Sequence, residues 1–394
     1  MQRTEADIPV RQPPLWLLVV ISALAPITMN GVLPANTAVM HALNTNYSMA
    51  QLTLSIYLFA SMISQVVLGN LADRRGRRPV MIGGLILFGC GGVVCAVAPG
   101  IEILLAGRFI QGFGSSVCVF LTRTIMRDVH PKDKAASAIG YMITAMMVAP
   151  LFGPALFGWI TDVSSWRIMY VLLALAGFAL AWLSYRHQHE TLRTEHKPKQ
   201  SGWQSNKDLL QEREYLAYVL IMCGSVGIYY CYLAGALYVV MELRNHSATT
   251  YGTWFSMVAI GYLAGNFIAG RFSESLGTQK MLVLSMVPLI IGVIMFWAFS
   301  GTDHLMGLFL PMLLIGLSNG VCLPNLTSAA MSVHSDSAGI ASGLLGTLQI
   351  GTAIVITLAL SATLQQSELP LYIAITLSGV LALLGLGILL RKAD

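Results

Sequence analysis

Residues 69–79 read GNLADRRGRRP, with four arginines and one aspartate in this short run. Long apolar segments flank it on both sides, at 49–72 and 79–98. Each is about 20 residues or longer, which is the length that an α-helix needs to cross a lipid bilayer. Gly69 and Gly76 allow a tight turn and a close approach of two helices. The stretch therefore predicts two membrane-spanning helices joined by a short, positively charged turn.

The same alternation of apolar segments and short polar turns continues along the chain. Of 394 residues, 56% are hydrophobic and 10% are charged, whereas a soluble domain carries about 25% charged residues. This composition excludes a soluble enzyme and a disordered chain. The continuous apolar runs exclude a membrane β-barrel, whose strands alternate apolar and polar residues. We expect an all-α polytopic membrane protein, because backbone in lipid must satisfy its own hydrogen bonds. Twelve helices are predicted, at 15–40, 49–72, 79–98, 102–124, 135–160, 166–186, 215–241, 251–272, 281–300, 305–330, 338–363 and 369–390.

Lysine and arginine residues orient these helices. With a cytoplasmic N-terminus, 19 of them fall in cytoplasmic segments, and only Arg167 and Arg244 fall in outer segments. Because basic residues favour cytoplasmic loops, both termini are predicted to be cytoplasmic. The apolar run that begins at Leu15 is too long for the core of a signal peptide, so we expect no cleavable signal.

The longest polar stretch runs from Arg186 to Arg213 and separates six predicted helices from six. It predicts an N-terminal bundle at 1–192, a cytoplasmic linker at 193–212 and a C-terminal bundle at 213–394. The charged turn has a weaker copy in the second half. Three of its positions recur 201 residues later: Gly69, Asp73 and Gly76 correspond to Gly270, Glu274 and Gly277. The recurrence predicts two parallel six-helix repeats with a binding site between them near the membrane midplane.

The charged turn resembles motif A of the major facilitator superfamily. The matching residues are Gly69, Asp73, Arg74, Gly76, Arg77 and Arg78. In that family the motif braces the outward-facing state and breaks during the inward swing. The resemblance implies the major facilitator fold, with two six-helix bundles. The alternative is a loop whose positive charge only sets the membrane topology.

The fourth predicted helix reads RFIQGFG at 108–114, which is similar to motif B of the same family. Arg108 lies about 9 Å below Glu102 along the helix, and an arginine inside the hydrocarbon is a candidate functional residue. The resemblance implies a role in proton coupling. The alternative is a structural arginine that is bonded to neighbouring carbonyl groups.

The fifth predicted helix resembles motif C, the antiporter motif of the family. Its matching residues are Gly140, Gly153, Pro154 and Gly158, while Ala149 and Phe157 depart from the pattern. Small residues let helices pack closely, and Pro154 is expected to kink the helix. The resemblance implies the hinge of a drug/proton antiporter, and ordinary close packing is the alternative.

The resemblance narrows to the bicyclomycin/chloramphenicol-resistance branch of the drug/proton antiporter 1 group. Four runs carry it: NGVLP at 30–34, QLTLS at 51–55, RTIMRD at 123–128 and ETL at 190–192. That branch commonly has an aspartate where this chain has Asn30, and an amide cannot titrate. Glu242, near an outer helix end, is the best remaining carboxylate for proton coupling.

Polar side chains on several helices are candidates for a substrate cavity. They are Asn30, Tyr57, Gln111, Tyr229, Tyr232, Asn319, Asn325 and Gln349. Tyr229 and Tyr232 belong to a stripe of tyrosines about 100° wide on the seventh helix. Tyrosines and amides suit a neutral or cationic organic ligand, and Arg108 leaves room for an anionic group. The alternative is that the tyrosines lie at the membrane interface and the amides only join helices.

The sequence predicts a secondary transporter and no enzyme. It contains no nucleotide-binding motif, no metal cluster and no catalytic constellation, so we expect no cofactor and no nucleic acid. The expected partners are a small organic substrate, protons and membrane lipid, and the protein is expected to be a monomer in a bacterial inner membrane. The favoured function is export of a drug or a secreted metabolite, such as a siderophore, in exchange for protons. The alternatives are a facilitator or importer, and a membrane receptor that transports nothing.

Overall fold

The computed structural model describes residues 13–129, 146, 151–192, 211–333, 338–364 and 367–391. In this part of the chain the structure is helical and contains no β-strand. We number the helices α1 to α13 in chain order. They are Leu15–Gly31, Asn36–Ala42, Tyr47–Arg75, Arg77–Ala96, Ile101–Val129, Leu151–Val163, Trp166–His187, Arg213–Tyr238, Ala248–Leu276, Thr278–Ala298, Met306–Ser332, Ala338–Thr363 and Leu369–Leu390.

These helices make twelve membrane crossings. A 3-10 turn at Leu33–Ala35 joins α1 and α2 into one crossing, Leu15–Ala42. Among the described residues, ten crossings are long and apolar enough to span a membrane by length and composition. The other two are α6, of which only Leu151–Val163 is described, and α9, which is 29 residues long but less apolar. The predicted twelve-helix fold is confirmed.

The internal repeat is visible in the helix boundaries. Helices α3 and α9 both contain 29 residues, and α9 begins and ends 201 residues after α3. Their N-caps correspond as well, because Asn46 accepts a hydrogen bond from the N–H of Met49, and Ser247 accepts one from the N–H of Thr250. Such side chains satisfy an N–H group that the first turn leaves free. The two helices therefore share their length and their N-terminal capping interaction.

The helices of each half pack mainly on one another. In the first half α4 packs on α5 and α7, and in the second half α9 packs on α11 and α8 packs on α13. Buried side chains form one core that includes Phe88 and Tyr170, and another that includes Tyr232 and Phe309. The structure thus contains the two bundles of the predicted fold. The limits at 192 and 213 stay a proposal, because residues 193–210 lie outside the described residues.

Close packing within the bundles depends on glycine. A Cβ atom at Gly91 of α4 would overlap the backbone of Gln111 on α5, and one at Gly112 of α5 would overlap the carbonyl group of Tyr57 on α3. Glycine at these positions lets the helix backbones approach each other, as is common in membrane proteins. The approach brings α3, α4 and α5 together around Arg108.

The charged turn is fixed to the end of the first half by one carboxylate. Glu190 accepts hydrogen bonds from the N–H groups of Arg77 at 2.7 Å and Arg78 at 3.2 Å. It also accepts bonds at 3.0 Å from the N–H groups of Thr191 and Leu192. The first two donors are free N–H groups at the start of α4, where a negative charge is also favoured by the helix dipole. Glu190 therefore caps α4 from a segment more than one hundred residues away in the sequence.

The two copies of the turn differ in their surroundings. Gly76 and Gly277 both have positive φ, at 104° and 82°, in a region that essentially only glycine adopts. A Cβ atom at Gly76 would overlap the Glu190 carboxylate, whereas at Gly277 no described residue beyond its chain neighbours comes within 4 Å of the same position. The first turn therefore needs glycine for two reasons and the second for one.

Alanine substitutions should separate these two reasons. We expect Gly277→Ala to lower the free energy of unfolding by about 1–3 kcal/mol through backbone strain. Gly76→Ala should lower it further, because it also displaces the Glu190 cap. The measurement is the midpoint of thermal unfolding of the two purified variants in detergent. Equal decreases in the two midpoints would contradict a stabilising role for Glu190.

Candidate functional site

A cavity of about 260 Å³ lies between the two halves, near the middle of the helices that line it. The first half contributes Met146 and residues from α1, and the second half contributes residues from α8, α9, α11 and α12. The described lining residues are Pro26, Met29, Asn30, Met146, Val226, Tyr229, Tyr230, Phe255, Val258, Ala259, Tyr262, Met312, Gly316, Asn319, Leu323 and Gln349. The described lining is therefore mostly apolar, with amide groups from both halves and tyrosines from the second half.

Side-chain hydrogen bonds between the described residues join the two halves at the cavity. The hydroxyl of Tyr229 donates to Oδ1 of Asn30 at 2.7 Å. The Nδ2 group of Asn30 donates to the carbonyl of Pro26 at 3.0 Å. Beside them, the hydroxyl of Tyr230 lies 3.8 Å from the sulfur of Met29. Asn30 thus acts as a neutral connection between α1 and α8.

Asn319 reaches the cavity from α11 and is 3% exposed. Its Nδ2 group donates to the carbonyl of Ser225 on α8 at 3.1 Å. Its Oδ1 atom is buried and has no hydrogen-bond partner among the described residues. The amide therefore joins two helices with its donor and leaves its acceptor free.

Four of the eight predicted cavity residues line the cavity, namely Asn30, Tyr229, Asn319 and Gln349. The others lie outside its described lining. Tyr57 and Gln111 face Arg108, and Asn325 donates to the carbonyl of Val321 in its own helix. The ring of Tyr232 packs against Phe255, Phe296 and Phe309. Contact of any of the eight with a substrate stays a prediction.

Tyr230, Tyr262 and Phe255 also line the cavity, and they were not predicted from the sequence. Tyr230 follows Tyr229 directly and points about 100° away from it around the helix. It therefore fell outside the tyrosine stripe drawn from helical periodicity. The cavity reaches around α8 far enough to touch both rings, which meet edge to face at 5.4 Å.

Arg108 is buried in the first half, 1% exposed, and is not among the residues that line the cavity. Its Nε donates to the carbonyl of Thr53 at 3.2 Å, and its Nη1 donates to Oε1 of Gln111 at 2.7 Å. The guanidinium group lies over the ring of Tyr57 at 4.4 Å. Among the ion pairs of the described residues, none involves Arg108. Its charge is stabilised by neutral dipoles and an aromatic ring.

The charged turn forms a second cluster on the cytoplasmic side. Arg77 pairs with Asp73 and with Asp128 of α5, the latter at 3.2 Å. Burial raises the pKa of the Asp128 carboxyl above its ordinary value, and the charge of Arg77 opposes this shift. Arg78 donates to the carbonyl of Tyr185 at 2.7 Å, and Arg74 is exposed. The cluster joins α3, α4, α5 and α7 within the first half.

Gly69 has no near neighbour among the described residues. Outside its own helix, no atom of these residues lies within 4 Å of its Cβ position. The close helix approach at Gly69 stays a prediction. The tight turn itself is made at Gly76.

The motif C residues pack α6 against α9 on the outer side of the cavity. A Cβ atom at Gly158 would overlap the carbonyl group of Ala248, and one at Gly252 would overlap the carbonyl group of Pro154. Asp162 accepts hydrogen bonds from the N–H and the hydroxyl of Thr249, at 2.8 Å and 2.6 Å. Gly153 is less crowded, with its nearest neighbour 3.8 Å from the Cβ position. Gly140 lies outside the described residues.

Further contacts between the halves lie on the same outer side. The hydroxyls of Ser55 and Thr357 are 2.9 Å apart, and the hydroxyl of Tyr47 donates to the carbonyl of Ala234. Glu242, at the outer end of the α8 crossing, lies 3.4 Å from Nε2 of His41. It is not among the residues that line the cavity. Together these contacts close the cavity toward the outside.

The sequence and the structure both resemble those of known transporters. Residues 16–357 match the sequence profile described as Major Facilitator Superfamily. The chain is 26% identical to Multidrug resistance protein D of Escherichia coli (strain K12) over 374 residues, which cover 94% of each chain. It is 26% identical to a Chloramphenicol resistance protein of Pseudomonas aeruginosa over 353 residues, which cover 85% of this chain and 83% of that protein.

Two solved structures have the same fold at low sequence identity. A D-xylose-proton symporter matches with a TM-score of 0.73 and 16% identity, over 94% of this chain and 95% of the other. An inward-facing, unoccupied bacterial homolog of the human lysosomal transporter Spinster matches with a TM-score of 0.72 and 14% identity, over 96% and 97% of the two chains.

The surroundings of Arg108 predict that replacing this buried arginine changes the stability of the protein very little. We expect Arg108→Met to change the midpoint of thermal unfolding by less than about 3 °C, or about 1 kcal/mol. Burying a guanidinium group without a carboxylate costs free energy that its hydrogen bonds only partly offset. The control is Arg77→Met, which should lower the midpoint more, because it leaves Asp73 and Asp128 without their cation. A decrease for Arg108→Met as large as that of the control would show that Arg108 is structural.

Proposed function

The chain belongs to the major facilitator superfamily, and from this premise we propose that it exports small organic compounds in exchange for protons. It is a multi-pass inner-membrane protein and not an enzyme. Members of this fold carry small substrates through a site between two six-helix bundles. The observation that carries the proposal is the cavity between the halves, closed on its outer side by the contact of α6 with α9.

Export is supported by the relatives and by the outer contact. The names of two relatives refer to multidrug and chloramphenicol resistance. The α6–α9 contact is built from the residues that resemble the antiporter motif. Closure on the outer side is required while an exporter loads its substrate from the cytoplasm.

We assign proton coupling to Arg108 and Glu242. Arg108 carries a buried positive charge, and a proton or an anion that arrives nearby would change the electrostatic free energy of that charge. The guanidinium group lies over the ring of Tyr57, whose hydroxyl donates to the carbonyl of Ala25 on α1. Glu242 lies where the halves meet, and its contact with His41 must break when the outer side opens. Its carboxylate would then face the outside, where protons enter.

A facilitator or importer is the second candidate. It is favoured by Asn30, which cannot titrate, and by the absence of a carboxylate among the described residues that line the cavity. Such a protein would move its substrate downhill without proton exchange. The proton gradient distinguishes the two candidates, because only the antiporter depends on it.

Accumulation of labelled chloramphenicol in an efflux-deficient bacterium tests export. We expect cells that express the chain to hold several-fold less label than cells with an empty vector, and an uncoupler to abolish the difference. Arg108→Met at matched expression should also abolish it. A difference that persists after uncoupling would support the facilitator. Equal accumulation with and without the chain, for chloramphenicol and a wider drug panel, would contradict drug export.

A crosslink across the outer contact tests alternating access. Asp162 and Thr249 touch through their side chains, so cysteines at both positions should react with a short bis-methanethiosulfonate linker. The six native cysteines are first replaced by alanine. We expect the crosslink to stop export and reduction to restore it, while the linker leaves each single-cysteine variant active. Export that continues with the crosslink in place would show that this contact does not open.

A further inference from the structure

We propose that the cavity selects uncharged organic molecules that carry a hydrogen-bond donor, and that Oδ1 of Asn319 accepts that donor. The inference rests on the proposed function, since it treats the cavity as the site of the transported compound. It adds the chemical class of the ligand and names the residue that recognises it.

The absence of charged residues from the described lining disfavours ionic ligands. None of its sixteen described lining residues is an aspartate, glutamate, lysine, arginine or histidine. An ion that enters a mostly apolar cavity loses its hydration, and no opposite charge on these residues replaces it. Arg108 contacts Tyr57, Thr53 and Gln111 and is not among the lining residues. The described lining therefore favours a neutral molecule.

Most hydrogen-bonding groups of the cavity already have a partner within the protein. Oδ1 of Asn30 accepts from Tyr229, and Nδ2 of Asn30 donates to Pro26. Gln349 is only partly buried, so water can satisfy its amide. Oδ1 of Asn319 differs from these atoms, because it is buried and unpartnered among the described residues. A buried acceptor without a donor is costly, and a ligand with an N–H or O–H group removes that cost.

The orientation of the Asn319 amide follows from its neighbour. Its Nδ2 group faces the carbonyl oxygen of Ser225 at 3.1 Å. The opposite orientation would place two acceptor oxygens together, which is unfavourable. The oxygen of the amide is therefore held as the free group. Asn319 lines the cavity, and a fixed acceptor that meets a ligand discriminates strongly against ligands that lack the matching donor.

The remaining lining suits a small aromatic ligand. Tyr230, Phe255 and Tyr262 offer ring faces and edges. Met29 and Met312 offer flexible side chains that adapt to different shapes. The volume of about 260 Å³ lies just below the usual range for drug-sized ligands. A compound of one or two rings with a single donor fits this description.

Three naphthalene probes test the assignment by binding alone. They are 2-naphthol, which has one O–H donor, 2-methoxynaphthalene, which has the same ring without a donor, and the anion 2-naphthoate. Binding is measured with the full chain in lipid nanodiscs, and protein-free nanodiscs correct for partition into lipid. We expect 2-naphthol to bind at least about tenfold more tightly than the other two probes.

Two leucine variants show which residue causes the preference for 2-naphthol. Asn319→Leu should reduce the ratio of the 2-naphthol and 2-methoxynaphthalene affinities to near one. The control is Thr327→Leu, which introduces the same side chain on the same helix at an exposed position outside the described lining and should keep the ratio. If Asn319→Leu does not fold, the comparison of the three probes on the wild-type chain still decides whether a neutral donor is preferred.

Several results would overturn the inference. They are equal binding of the ether and the alcohol, tighter binding of 2-naphthoate, no binding of any probe, and an unchanged ratio in Asn319→Leu. These results are independent of transport. If 2-naphthol binds as expected but chloramphenicol is not exported, the export proposal fails and the assignment of Asn319 stands. If export occurs without a donor preference, the inference fails and the export proposal stands.

Discussion

The contact between α6 and α9 is the interaction on which the cavity depends. Two glycines, Gly158 and Gly252, let each backbone touch a carbonyl group of the other half. Asp162 adds a charge at the start of α9, where the N–H of Thr249 needs an acceptor. Because this contact joins the halves on the outer side, it separates the space between α1, α8 and α11 from that side.

Much of the fold could be predicted from the sequence, because the bilayer limits the possibilities to helices of a certain length. The recurrence of glycines and acids in two turns predicted the repeat, and the shared offset of α3 and α9 follows it residue by residue. The cap at Glu190 could not be predicted. The ETL run carried only a family resemblance in the sequence and did not indicate that its glutamate returns to the start of α4.

The candidate site was only partly predictable. Helical periodicity gives the direction of a side chain but not the helix that it meets. Tyr232 and Tyr229 share a face of α8, yet one meets an aromatic core and the other meets Asn30. The orientation of the Asn319 amide depends on a carbonyl group of another helix, and no local sequence pattern reveals that contact. The sequence did indicate that Arg108 would be buried, and the structure adds that its described neighbours are neutral.

The different surroundings of Gly76 and Gly277 set different limits on what each turn can accept. Both turns need glycine for a positive φ, but only the first also has a distant carboxylate against its glycine. A side chain at residue 277 strains one turn, whereas a side chain at residue 76 also displaces Glu190 from the start of α4. The second turn is therefore the one that can be altered with less effect on the rest of its half.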